Sequence, residues 1–544
     1  MRYLSENKRE DMRMKKRTAA RSMAALMGAA MVLTACGGGN TTAPTTGASS
    51  GGETQTASES AESGKITKTD IVVGQASDIV TLDPAGQQDT TSGVLMKHAY
   101  STLLDVDNEG KVVPDLAESY EMKSDTEYVF KLREDACFWD GTPVTAQAVK
   151  FSLDRAKGMP KTKSNTSKIE EVTVNGDHEV TIKLTEPYAA FKTIVTQHNL
   201  SILSEKAVTE AGDSYGDVDN LLGSGPFKVT EWVPNDHYTL VRNDNYWGEM
   251  PIATSITCRV IPEGSARTIA LEAGEIDVVW SVDPTDCANV ESNPDVKLLS
   301  QPSTGIDYVG MNTQKEKFSD KRVRQAINYA LDKQAFVDTI IEGRGLVANS
   351  YINAAIPGWT DEVEAYPYDP EKAKELLAEA GYPDGFECSI FVNGDLRTRS
   401  AQILQAQLAD VGIKVDISTY EWGALLDTLN AGEHEMFLLG WSNTSFDPDG
   451  STYQLFYSGN HGATGNRAFF SNDKVDELIL SAQRESEESK RMELYKELQF
   501  VLHDESPWCP LYYKENNVGV RADLKGFTLH AGAQHYLGNC HYEE

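Results

Sequence analysis

FECSIFVNGDLRTRSAQILQAQLADVGIKVDISTY, residues 386–420, is the stretch on which the fold turns. Phe386 to Val392 is a short apolar run that reads as a strand. About Leu396 to Val411 is long enough for a helix, and Gly412 closes it, since glycine suits the left-handed turn after a helix. Ile413 to Ile417 is a second strand, a short helix starts at Trp422, and Met436 to Leu439 is a third strand. Strand, helix, strand, helix, strand is the order of one half of an open α/β sheet. In such sheets ligands lie beyond the carboxyl ends of the strands. Those ends are Asn393 to Arg399, Ser418 to Trp422, and Gly440 to Gly450. The last one carries Trp441, several hydroxyls and amides, and the carboxylates Asp447 and Asp449 on an irregular segment. It is expected to face a ligand, although a polar surface loop with Trp441 plugging the core is the plainer alternative.

Upstream, Asp320 to Asp332 places Val323, Ala326, Ile327, Ala330 and Leu331 at helical spacing. Asp369-Pro370 supplies an N-cap and a first-turn proline for a helix that stops at Gly381. The N-terminal part alternates less regularly. A strand is expected over Ile71 to Gln75, a polar loop over Gly86 to Gly93, and a helix over Val94 to Leu104. Tyr128 to Leu132 is strand-like, and Thr145 can cap a helix from Ala146 to Ala156. Two strand pairs follow, around Asn175-Gly176-Asp177 and within Leu222 to Trp247.

At the N-terminus, Arg13, Lys15, Lys16, Arg17 and Arg21 precede an uncharged run, Met23 to Leu33, and then Leu33-Thr34-Ala35-Cys36. Basic, short apolar, small is the order of a secretory signal peptide. The run is too short to span a bilayer, which takes about 20 residues. The tetrad resembles a bacterial lipobox, which implies a signal peptide over 1–35 and a lipid-anchored Cys36. Gly37 to Gly64 has almost no large apolar side chain, so 36–64 reads as a flexible tether.

From Cys36 onward the chain holds 42 basic and 79 acidic residues, a net charge of −37. That surface disfavours nucleic acid and anionic lipid as partners. The roughly 480 remaining residues exceed what one core usually serves, so two or more lobes are expected. Cys137, Cys258, Cys287, Cys388, Cys509 and Cys540 form an even set that invites a disulfide reading. Their apolar neighbours instead point to small core residues.

Several segments together resemble the extracytoplasmic solute-binding lipoproteins of ABC importers, family 5, which includes dipeptide, oligopeptide, nickel and glutathione binders. They are Val113–Tyr120, Phe130–Arg133, Phe138–Thr142, Gly223–Phe227, Arg242–Trp247, Val323–Ala326 and Tyr368–Ala373. Tyr420-Glu421-Trp422-Gly423, Gly432-Glu433-His434 and Gly440-Trp441 with Asp447-Pro448-Asp449 are most similar to dipeptide binders. Asn466 to Asp476, which holds Arg467, and Glu505 to Trp508 look more like the glutathione-binding subgroup.

The resemblance implies an α/β two-lobe periplasmic-binding-protein clamshell of the large, three-subdomain class II type. Lobe I would span 66–302 plus 514–544, with an inserted subdomain at about 115–222, and lobe II 303–513. The hinge crossings would lie at Ser303-Thr304-Gly305 and near Tyr513. Tyr308 would face the cleft, and the Gln87 to Ser92 loop, with Gln88 and Thr91, would close over the ligand. Trp422, Trp441 and Arg467 would join the site. The chain departs from dipeptide binders at both charge anchors. Their ammonium-binding aspartate falls at Thr444 here, and their carboxylate-binding arginine at Phe391. Asp447 is a candidate replacement for the first, Arg397 or Arg399 for the second, because a zwitterion is fixed by charge-assisted bonds. A peptide with masked or differently placed charges is equally open.

The expected function is capture of a small peptide or peptide-like solute for an ABC permease and its ATPase, by a monomer with no cofactor. The alternatives are a metal complex such as a nickel chelate or haem, glutathione, or a secreted hydrolase. No Gly-x-Ser-x-Gly elbow, P-loop or His-Glu-x-x-His motif supports an enzyme. His530, His535, Cys540 and His541 offer metal-ligand types, but in no structural zinc spacing. They are expected to sit on a mobile tail.

Overall fold

The structure is a computed structural model that describes residues 65–544. The expected signal peptide, lipid-bearing Cys36 and tether lie outside the described residues.

Two long strands, Val296–Met311 and Trp508–Arg521, organise the rest. They run antiparallel from Val296 opposite Arg521 to Gly310 opposite Trp508. The register shifts between Pro302 and Ile306, where the proline has no N–H to give to the ladder. With them lies one eleven-stranded sheet, whose strand Gly345–Val347 pairs only with Trp508–Arg521. On one side Met436–Ser442, Glu387–Val392 and Lys414–Thr419 follow in that order. On the other side come Val278–Val279, Asp70–Gln75, Ser255–Val260, His237–Arg242 and Phe227–Val233.

The order expected over 386–439 is present. Glu387–Val392 lies between two parallel neighbours, and the helix Gly394–Ala409 makes the crossover. Ser400, Ala401, Leu404 and Leu408 are its buried face. The helix Lys321–Ala330 buries Val323, Ala326, Ile327 and Ala330 against the same core. A second, four-stranded antiparallel sheet runs Ala117–Ser124, Glu127–Leu132, Glu179–Leu184, Ile169–Gly176. It has its own core, in which Phe130, Val180 and Ile182 meet Val149 and Leu153 of the helix Ala146–Lys157.

Three expectations need correction. The helix expected from Val94 begins at Thr90, because the Asp89 side chain accepts the Ser92 N–H and caps it, and it ends at Ala99. Ile276 to Trp280, an apolar run after the helix stop at Gly274 that reads as a strand, forms only the two-residue strand Val278–Val279. The C-terminal segment is no mobile tail. His530, His535, Cys540 and His541 are buried, and His98 Nε2 accepts the Leu537 N–H at 3.0 Å. Among the described residues no group of three or more histidine, cysteine or acidic side chains is placed to hold a metal. The six cysteines are unpaired, and all but Cys137 are buried.

Candidate functional site

A cavity of about 390 Å³ opens beyond the carboxyl ends of Glu387–Val392, Lys414–Thr419 and Met436–Ser442. That volume falls in the range of small-molecule sites, roughly 300–1,000 Å³. Asn393, Leu396, Arg397, Trp422, Trp441 and Thr444 form one wall. All come from the three strand ends singled out in the sequence. The facing wall holds Gln87 to Thr91, Gln197, His198 and Trp280, with Lys514 to Asn517 and Gln534 at the side.

Polar contacts hold the two walls together. Thr444 Oγ1 donates to Gln197 Oε1 at 2.8 Å. Gln88 Nε2 donates to the Thr464 carbonyl at 3.3 Å and to Gln454 Oε1 at 3.4 Å. Outside the cavity lining, the Tyr188 hydroxyl donates to Asp449 Oδ2 at 2.5 Å. Burial and the neighbouring Asp447 charge push the Asp449 carboxyl up to about 6.

Of the expected site residues, Gln88, Thr91, Arg397, Trp422, Trp441, Thr444 and Arg467 line this cavity. The Trp441 indole donates to the Gly450 carbonyl at 3.0 Å and pins its own loop. The Arg397 guanidinium lies over the Trp422 ring, 5.9 Å from its centroid. Its Nε is 3.9 Å from Asp307, a carboxylate that Lys514 holds at 2.8 Å. Arg467 is buried, and its only side-chain hydrogen bond among the described residues is Nε to Asn430 Oδ1 at 3.0 Å.

Three expected contacts lie off the cavity. Asp447, proposed as an ammonium partner, is instead clamped by Arg491, whose Nη1 donates to its Oδ2 at 2.9 Å. Tyr308 is 2% exposed and stacks on Trp508 with ring centroids 3.4 Å apart, so it is core and does not face the cleft. Arg399 turns to Asp283, with Nη2 donating to Oδ2 at 2.5 Å. Phe391 packs on Tyr420, with ring centroids 4.9 Å apart.

Sequence reasoning named the Gln87 to Ser92 loop without singling out Asp89, and missed Gln197, His198 and Trp280. Asp89 carried a usable signal, an acidic residue before a run of threonine and serine that begins a helix. The others sit in segments with no periodicity to place them. His198 lies beside His530 and is held down to about 3, mainly by burial, so it meets the cavity as a neutral imidazole.

This architecture has known counterparts. A family model described as bacterial extracellular solute-binding proteins, family 5, matches residues 111–463. The glutathione-binding protein GsiB of Escherichia coli (strain K12) is 32% identical over 479 residues, covering 85% of this chain and 92% of its own. The periplasmic binding protein DppA of Helicobacter pylori, in complex with the peptide STSA, superposes with a TM-score of 0.84 at 28% identity, over 88% of this chain and 99% of that one. AgaA of A. tumefaciens R10, in complex with agropinic acid, gives 0.82 at 26% identity, over 87% and 99%. These relatives are named as binding proteins. The chain belongs to the bacterial extracellular solute-binding proteins, family 5, the solute-capturing components of ABC importers.

Proposed function

We propose that this chain captures a small peptide or peptide-like solute between two lobes and delivers it to an ABC permease and its ATPase. The lobes would be 66–302 with 514–544, and 303–513. Glutathione belongs to this solute class, and the name of the Escherichia coli relative supports it. The observation that carries the reading is the cavity itself. It is walled by strand ends on one side and by Gln87 to Thr91 on the other, and hydrogen bonds such as Thr444 to Gln197 bridge the two. Ligand binding that adds contacts to both walls favours the closed form, which is hinge closure. The contact residues are Gln88, Thr91, Arg397, Trp422, Trp441, Thr444 and Arg467. The protein acts outside the cytoplasm as a monomer, anchored through lipid on Cys36, and carries out no catalysis. The order basic, apolar, Leu33-Thr34-Ala35-Cys36 supports the anchor.

The test is thermal-shift and calorimetric titration of the full chain with di- to hexapeptides, glutathione, nickel–histidine and haem. A ligand binding at micromolar Kd or tighter raises Tm by mass action. No shift with any amino-acid-derived solute, together with turnover of an ester or sugar substrate, would sink the reading. Labelling of the membrane fraction by a radiolabelled fatty acid, lost in Cys36→Ala, tests the anchor separately.

A further inference from the structure

The cavity lining includes buried polar atoms that have no hydrogen-bond partner among the described residues. Gln88 Oε1, Asp89 Oδ2 and the Trp422 indole N–H are all buried without a hydrogen bond. Asp89 uses only its other oxygen, Oδ1, which accepts the Ser92 N–H at 3.0 Å. Across from them Arg467 is buried, with only Nε engaged, and it forms no ion pair among the described residues. The two charged groups make no ion pair with each other among the described residues, although the Asp89 charge reaches Arg467. The Asp89 charge acts on Arg467, and the Trp422 N–H acts on Asp89. Burial works against ionisation of both, pushing the Asp89 carboxyl up and the Arg467 guanidinium down. Lys161 also pulls on Asp89 but makes no ion pair with it. Buried charges are expensive unless paired and hydrogen-bonded, so this arrangement is complete only with a solute that supplies both signs.

The sites alternate in kind. Two acceptors, Gln88 Oε1 and Asp89 Oδ2, suit an ammonium, which is donor only. The Arg467 guanidinium, with only its Nε engaged, suits a carboxylate, which is acceptor only, and the Trp422 N–H lies toward Asp89 beside it. Both sets line one cavity, and Gln88 donates to the Thr464 carbonyl, three residues before Arg467. In an ordinary α-linked peptide the ammonium and the carboxylate sit at opposite chain ends. They share one carbon only in a free α-amino-acid head, as when a glutamyl or aspartyl residue is linked through its side chain.

We propose that Gln88, Asp89, Trp422 and Arg467 form a subsite for a free α-amino-acid head, and that the preferred solute is a side-chain-linked peptide or similar conjugate carrying such a head. Arg397, which shares Asp307 with Lys514, then meets a second carboxylate or carbonyl farther along the solute. This rests on the peptide-like reading given above.

The experiment is isothermal titration calorimetry of the full chain with two isomers of the same composition and charge, γ-Glu-Ala and α-Glu-Ala. The γ isomer is expected to bind at least about tenfold tighter, and N-acetylation of its α-amine to remove most of that gain. Asp89→Asn keeps the helix cap and the shape but should erase the preference, as should Arg467→Gln, with Tm in the absence of ligand reporting folding. Equal or tighter binding of the α isomer overturns the subsite and leaves the importer reading intact. So does tight binding of plain dipeptides with no response to the γ isomer. Failure of every amino-acid-derived solute overturns both. A variant that unfolds leaves the isomer comparison on the unmodified protein to decide.

Discussion

Asp447 shows how a charged residue at the right sequence position can serve the scaffold and not the ligand. The carboxylate lies three residues beyond Thr444, in the loop that ends Met436–Ser442, and both its oxygens are taken by Arg491. Arg491 sits on the helix Glu488–Glu505, far along the chain, and no local pattern announces the pair. Removing one member of a buried ion pair strands the other charge, which costs about 3–5 kcal/mol. Arg491→Met is therefore expected to lower the unfolding free energy in urea by about that much. Adding Asp447→Asn should recover a substantial part, because the stranded charge goes with it. A loss under about 1 kcal/mol in Arg491→Met would mean that the carboxylate is solvated after all. Arg467 is the reverse case. It carries no such partner among the described residues, and its position in a segment resembling glutathione binders was the only sequence cue to it.

The elements were legible in proportion to their periodicity. The strands and helices of 386–439 appear within about three residues of where the apolar runs place them, because each buries a face set by its own repeat. The three strand ends that line the cavity followed from strand order alone. The helix Thr90–Ala99 was shifted because its first turn is Thr-Thr-Ser, poor helix formers that only the Asp89 cap holds in place. The buried C-terminal segment has no pattern, and its order comes from packing on His98, Trp280 and Phe446. One backbone contact in the βαβ unit is testable. Gly385 has φ +75° and lies where a Cβ would come 2.0 Å from the Gly412 carbonyl oxygen, at the point where the two parallel strands start. Gly381 has a similar φ of +94°, but open space around it. Gly381→Ala should cost only the left-handed penalty, about 1–2 kcal/mol, and Gly385→Ala clearly more, because backbone must move. Equal losses in a denaturant titration would show that the Gly385–Gly412 approach relaxes freely.

At the scale of the whole molecule, acid stability is set by buried histidines. Burial holds His98, His434 and His530 down to about 4, and His198 and His535 down to about 3. For three of them the bonding works in the same direction as burial. His98 Nε2 accepts from the Leu537 N–H, His530 Nδ1 from the Gly532 N–H, and His535 Nδ1 from the His530 N–H. A proton on any of these nitrogens would point a donor at a donor. In the unfolded chain a histidine titrates near 6.5. Between that value and the folded one, the unfolded state binds more protons, so stability is full above about pH 6.5 and is lost as pH falls. Asp449, raised to about 6, and Asp115, raised to about 7 mainly by burial, act the other way. Their folded forms hold a proton that the unfolded forms release above about 3.9, so acidification favours folding at those two sites. Five histidines outweigh two aspartates in the same window, and each fully engaged group is worth about 1.4 kcal/mol per pH unit. Tm is therefore expected to fall steadily from pH 6.5 to 4.5, with net proton uptake on unfolding near pH 5. His98→Asn, which cannot titrate, should flatten that slope by roughly one proton while lowering Tm at pH 7 through lost packing. A Tm that is flat or rising over the same interval would mean that the C-terminal segment opens and solvates these rings in the native state. The packing of Leu537 on His98 would then be the first contact to re-examine by hydrogen exchange.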